Sequence, residues 1–202
     1  MNSLEEIRTG LQGVIYKRTW EGRLWGNFEA IELSEIYYRI LFELGRRQEA
    51  EASLLSTCYT AWGNAAVKIS DTSGREWLRW AWRTIKYRAK TKKLAYRLDG
   101  MIKSPYPIFK PELSSFMILG RVFFRLKEYE RALDYYRCAL ATGGVSSDNQ
   151  ALILAEMGET MVHQNNSDSW MILAEAYGFL PEVDDIKTKV RIYKTMAAAY
   201  IY

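Results

Sequence analysis

Residues 113–146, LSSFMILGRVFFRLKEYERALDYYRCALATGGVS, place small and large side chains at two interlocking sets of helical spacings. Phe116, Leu119, Gly120 and Phe123 fall at i, i+3, i+4 and i+7, which is one face of a first helix. After a turn around Lys127–Glu128–Tyr129, Ala132, Tyr136 and Ala139 fall at i, i+4 and i+7 of a second. Gly120 and Ala132 carry little bulk where two backbones approach, and the aromatic residues fill the space on either side. Such a segment closes into a tight antiparallel helix pair. No strand-like alternation longer than a few residues occurs anywhere in the chain, so the expected fold class is all-α.

The segment resembles a tetratricopeptide (TPR) repeat in nearly every signature position, including the aromatic Tyr129 three residues before Ala132. The resemblance implies a right-handed stack of antiparallel helix hairpins, a TPR-like α-solenoid, that holds other molecules and is not a catalyst. A weaker copy follows at 150–183, with Gly158 as the small residue of its first helix. Ser169, Leu173 and Ala176 lie on its second helix, a turn-rich His163–Ser167 joins the two, and Pro181 closes the unit. In 190–202, Tyr193, Met196, Ala197 and Tyr200 repeat the first-helix spacing. That helix is expected to cap the stack or to take a partner helix from elsewhere, including a second copy of the chain.

Upstream the copies degrade. In 31–64, Ser34, Tyr37 and Leu41 suit a first helix, and Leu44–Gly45–Arg46 with Glu49–Ala50 suits the turn and second-helix start. In 74–99, Trp77, Trp80, Ala81 and Thr84 have first-helix spacing after a capping box at Ser73–Glu76, with Ala95 as the displaced small residue of a second helix. Ser104–Pro111 holds three of the four prolines and reads as a helix-free connector. The expected organisation is a divergent helical half at 1–103, the connector at 104–111 and TPR-like repeats at 112–202, the halves packing together because neither alone buries much.

Composition narrows the compartment. Cys58 and Cys138 are far apart, each inside an expected helix, which favours reduced core thiols over a disulfide. No apolar run has the length of a membrane span. Ser3–Glu6 reads as a capping box that opens an amphipathic helix through Leu4, Ile7, Leu11 and Val14, where a secretory signal would need an unbroken apolar core. The chain is expected to be cytoplasmic. Seven Trp and fourteen Tyr are accounted for by rings that bridge helical layers.

Charge is the strongest signal beyond architecture. From Arg75 to Lys110 there are eleven Lys and Arg against Glu76 and Asp99, a local excess of +9 in a chain of net +4. Arg79, Arg83, Lys86, Lys90, Lys93 and Arg97 recur at alternating steps of four and three, so on one continuous helix they form a single basic stripe. A hairpin turn near Lys90 would split it in two. A stripe of this kind suits an acidic peptide or a phosphate backbone, although no helix-turn-helix, zinc-finger or RNA-binding sheet motif accompanies it.

The resemblance also implies a groove. On the first helix of 113–146 the residues opposite the packing face are Ser114, Met117, Arg121, Phe124 and Arg125. Arg121 and Arg125 are placed to grip a carboxylate or phosphate, and Phe124 to meet an apolar side chain. The same offsets give Arg75, Trp82 and Lys86 in the earlier unit and Arg191 and Lys194 in the last. The matching face of 150–183, Ala151, Leu154, Gly158, Met161 and Val162, reads as apolar, a hydrophobic pocket beside the arginine pair. If Arg121 and Arg125 point outward, reversing both charges leaves stability almost unchanged.

Catalysis has little support. His163, the only histidine, falls in an expected turn, and there is no nucleophile elbow, phosphate-binding glycine loop or metal-ligand spacing. Asp184–Asp185 read as the cap of the last helix. The function expected is protein–protein interaction, a scaffold or adaptor without cofactor, metal or membrane partner. It would hold an acidic or amphipathic segment through Arg79, Trp82, Arg83, Lys86, Arg121, Phe124 and Arg125. A nucleic-acid-associated regulator using 75–97 is the alternative, and homodimerisation through the C-terminal helix is a further expectation.

Overall fold

The computed structural model describes residues 8–9, 36–104 and 111–201, and among them every regular element is helical. A helical run at 36–43 (α1) precedes α2 (Arg47–Ser70) and α3 (Gly74–Ile102). Then come α4 (Leu113–Arg125), α5 (Tyr129–Leu140), α6 (Ser147–His163), α7 (Ser169–Gly178), a single 3-10 turn at Leu180–Glu182, and α8 (Ile186–Ile201). The chain divides into two compact units, Met1–Lys110 and Pro111–Tyr202. The capping box at Ser3–Glu6 and most of the proline connector, 105–110, lie outside the described residues.

One turn geometry recurs three times. After α1, α4 and α6 a residue adopts the left-handed conformation: Gly45 (φ 74°), Lys127 (φ 65°) and Asn165 (φ 55°). In each case its N–H bonds back three residues and the next N–H bonds back five. The pairs are Gly45 to Phe42 and Arg46 to Leu41, Lys127 to Phe124 and Glu128 to Phe123, and Asn165 to Val162 and Asn166 to Met161. This double closure satisfies carbonyls that a helix end leaves open and reverses the chain within three residues. It confirms the turns expected at Leu44–Arg46 and after Arg125.

In the second unit α4 packs on α5, α5 on α6, α6 on α7, and α6 also on α8 and more lightly on α4. The first helix of each pair therefore lies on one side of the stack. Gly120 marks a close approach in the first pair: a Cβ there would lie 2.8 Å from Cδ1 and Cζ of Tyr136. Phe123 stacks on Tyr135 with ring centroids 5.6 Å apart, and Ala132 and Ala139 are fully buried. Gly158 plays the same part against Leu173, whose Cγ would be 2.6 Å from an added Cβ. Ala151, Leu154, Ala155, Ala176, Leu180, Val183 and Ile192 join α6, α7 and α8 into one apolar cluster. Asp185 caps α8 as expected, its carboxylate accepting from the Thr188 N–H at 3.0 Å.

In the first unit Tyr37, Leu41 and Ala50 close α1 onto α2. Along α2, Leu54, Leu55, Cys58, Ala61, Trp62 and Ala65 are buried, and α3 packs along it through Tyr87, Thr91, Leu94, Ala95 and Leu98. Glu51 is buried in α2, where Arg97 of α3 donates to its carboxylate from Nε at 2.9 Å and also from Nη2.

Three expectations need correction. Residues 74–99 are not a hairpin: α3 is one helix, and Ala95 packs it against α2. Between Arg75 and Asp99 the sequence has no Gly, Pro or Asn to break the helix. The helix starts after Ser73 as expected, but the Ser73 side chain makes no capping bond. Cys138 is exposed on α5, whereas Cys58 is buried; neither is in a disulfide. On α8, Thr188, Ile192 and Thr195 are buried, while Tyr193 and Ala197 are exposed and Met196 is half-buried, the face expected to lie open where no second helix follows.

Candidate functional site

The side shared by α4, α6 and α8 carries a charged ladder. Glu156 of α6 is buried, its side chain 1% exposed. Arg121 of α4 donates to it from Nε at 3.0 Å to both carboxylate oxygens and from Nη2 to Oε1 at 2.8 Å. Arg191 of α8 reaches the same Oε1 at 3.2 Å. One carboxylate thus ties three successive first helices together, and its burial is offset by charge-assisted bonds. Beside it Glu159 has its pKa raised, first by burial and also by the Glu156 charge, with Arg191 and His163 opposing.

This geometry revises the expected groove. Met117 is buried, and Arg121 is engaged within the fold. Phe124 belongs to a three-ring cluster at the turn end of the stack: it lies 5.8 Å from Tyr129 and 5.3 Å from His163, and Tyr129 and His163 stack at 5.9 Å. Arg125 is half-buried one turn from Arg121. Ala151, Leu154, Gly158 and Met161 are buried in the stack, so the neighbour of Arg121 is a carboxylate and not an apolar pocket. His163 ends α6 and is exposed, packed against rings and not set in a cleft. Among the described residues no group of three or more His, Cys, Asp or Glu could hold a metal ion.

The basic stripe stays whole because α3 is continuous. Its core side begins in earnest only at Tyr87, and the preceding three turns of helix are exposed or half-buried. Leu78, Trp82 and Ile85 stand 61%, 61% and 68% exposed on the side turned away from α2. With Ala89 they fall at i, i+4, i+7 and i+11, within about 60° of one another on a regular helix. Arg79 is exposed, and Lys86 Nζ lies 5.1 Å from the Trp82 ring centre. Arg83 is turned toward the other side, its guanidinium 4.8 Å from the Trp80 ring, and burial first and Arg79 second lower its pKa. Arg97, at the far end of the stripe, is held by Glu51.

Residue-by-residue reading of the sequence missed Glu156, Glu159 and the Leu78–Ile85 row. Each left a trace. Glu156 interrupts the otherwise apolar run Ala151–Gly158, which marks a carboxylate buried with a partner. Arg121, Glu156 and Arg191 also recur at steps of 35, close to the repeat period. The Leu78 row is visible once both apolar sides of 74–102 are plotted on a single helix.

No family model and no curated protein matches this chain. Among solved structures it is similar to a thermophilic TPR protein of Thermus thermophilus, at 16% identity and a TM-score of 0.43, over 94% of this chain and 99% of that one. The helix-pair architecture rests on the packing described above.

Proposed function

We propose that the chain is a protein-interaction module that holds an acidic or amphipathic segment of a partner. The exposed side of α3 carries this reading: Leu78, Trp82 and Ile85 stand in solvent beside Arg79 and Lys86 although the same helix has a well-buried opposite side. An apolar row with adjacent charge of one sign is what a charged amphipathic partner requires. Arg83, half-buried over Trp80, adds to the field from the flank. Phe124 and Arg125, with Arg121 held in place by Glu156, form a second contact surface on the α4–α6–α8 side. Among the described residues no helix is long and apolar enough to cross a membrane.

The test is fluorescence anisotropy with a labelled acidic polypeptide. Arg79→Glu with Lys86→Glu is expected to weaken binding about tenfold at low salt, and Phe124→Ala with Arg125→Glu to weaken it less. Binding that ignores both changes rejects the assignment. The continuity of the basic row favours a second reading, a phosphate backbone as the ligand. That reading requires affinity for duplex DNA or RNA to fall steeply between low and moderate salt and to survive loss of Trp82 and Ile85.

A further inference from the structure

From the shape of the exposed row on α3 we infer that its occupant is an α-helix with one acidic edge, docked lengthwise along Leu78, Trp82 and Ile85. The inference rests on the interaction reading above and adds the partner's conformation and charge pattern. Leu78 to Ala89 spans about 17 Å of straight helix, three turns. A straight row with helical spacing accepts the i, i+4, i+7 row of another helix, ridge into groove. An extended strand would alternate its side chains away from such a row.

Charge sets the remaining features. Arg75, Arg79, Lys86 and Lys90 follow one edge of the row. The other edge between 75 and 90 holds Trp77, Ala81 and Arg88, and Arg88 lies 6.0 Å from the Trp62 ring centre of α2. A helix lying in an anionic lipid surface would be flanked by basic residues on both edges of its apolar face. Arg88 and Lys92 put some positive charge on the second edge, but Arg75, Arg79, Lys86, Lys90 and Lys93 crowd the first, and this lopsided pattern suits a partner helix with one acidic edge better than a membrane. The aromatic ring of Trp82, with Lys86 over its face, supplies the central anchor.

The experiment uses the full chain and four probes. The first is a synthetic helix about four turns long, with leucines on one face and a single glutamate row beside them. The second is a peptide of the same composition, scrambled to destroy that face. The third is equimolar phosphatidylserine–phosphatidylcholine vesicles, and the fourth is a short DNA duplex. The first peptide is expected to bind and to gain helicity by circular dichroism, with the scrambled peptide at least about tenfold weaker. Trp82→Ala with Ile85→Ser is expected to weaken it about 30-fold, and Leu78→Ser by less. Both variants remove exposed side chains, and their thermal melts should match wild type.

Equal binding of the two peptides, with both lost on charge reversal at Arg79 and Lys86, overturns the helical occupant and leaves the interaction reading standing. Tighter binding to vesicles or duplex than to the first peptide also overturns it. No binding of any probe, together with a destabilised Trp82→Ala/Ile85→Ser variant, means that the chain itself covers the row. Both readings then fall.

Discussion

Reversing the charge of Arg121 tests the ladder most directly. A surface arginine can be exchanged for glutamate at little cost, within about 0.5 kcal/mol. Arg121 is different because its partner, Glu156, has a side chain only 1% exposed. Breaking a buried pair by removing one member costs about 3–5 kcal/mol. Two observations reduce that figure: the Arg121 side chain is 29% exposed, so water reaches the pair, and Arg191 remains 3.2 Å from Glu156. Arg121→Met should then cost about 2 kcal/mol. Arg121→Glu adds like-charge repulsion between two carboxylates, bringing the loss to about 3 kcal/mol, a large share of a typical domain's 5–15 kcal/mol.

The assay is urea unfolding of wild type, Arg121→Met and Arg121→Glu at neutral and mildly acidic pH. The sign of the pH effect is part of the prediction. Two facing carboxylates raise the folded pKa of one of them, so the penalty is full above that pKa and is lost as pH falls through it toward the unfolded value. The extra deficit of Arg121→Glu over Arg121→Met should therefore shrink on acidification. Arg79→Glu, at an exposed position of α3, serves as the control and should cost about 0.5 kcal/mol at most. If Arg121→Glu stays within about 0.5 kcal/mol of wild type, the ladder is not a structural tie. The outward groove expected from the sequence is then the better description.

Other outcomes follow from the same packing. Gly120→Ala should destabilise by about 1–3 kcal/mol, since the new methyl meets the buried Tyr136 ring; an unchanged urea midpoint would contradict the close approach. Gly158→Ala should behave alike, and shortening Leu173 to valine in that background should recover part of the loss, a non-additivity readable in a double-mutant cycle. Lys127→Gly should stabilise by about 0.5–1 kcal/mol by relieving a left-handed lysine at the α4–α5 turn, and a loss of stability would show that the strain is not there. Glu159→Gln should raise stability at neutral pH. Its advantage should fade as pH falls through the raised pKa of the native carboxyl, and an advantage that instead grows in acid would invert the assignment.

The regular pairs were legible because close approach leaves a compositional mark. Where two helix backbones nearly touch, only glycine or alanine fits, and Gly120, Ala132 and Gly158 announce those points without reference to any other part of the chain. Turns were legible where glycine supplied the left-handed residue, as at Gly45, and also where Lys127 did, because the spacings on either side marked the turn. The lack of Gly, Pro or Asn between Arg75 and Asp99 favours an uninterrupted α3, although Lys127 shows that a lysine can also host the turn. That continuity was obscured by a repeat register carried too far upstream.

The sequence by itself determined that the described chain is helical, where most helices begin and end, and that a basic row runs along 75–97. These depend on spacing, capping and turn chemistry, which act over a few residues. Only the tertiary structure decided what the other sides of the helices meet. Arg121 and Arg79 are both arginines on amphipathic helices, yet one is tied to a buried glutamate 35 residues away and the other stands in solvent. The difference comes from the neighbour that arrives: α6 brings Glu156 up to Arg121, whereas α2 leaves the first three turns of α3 uncovered on their outer side. Burial and pairing are properties of a contact between distant segments, and neither segment carries them alone.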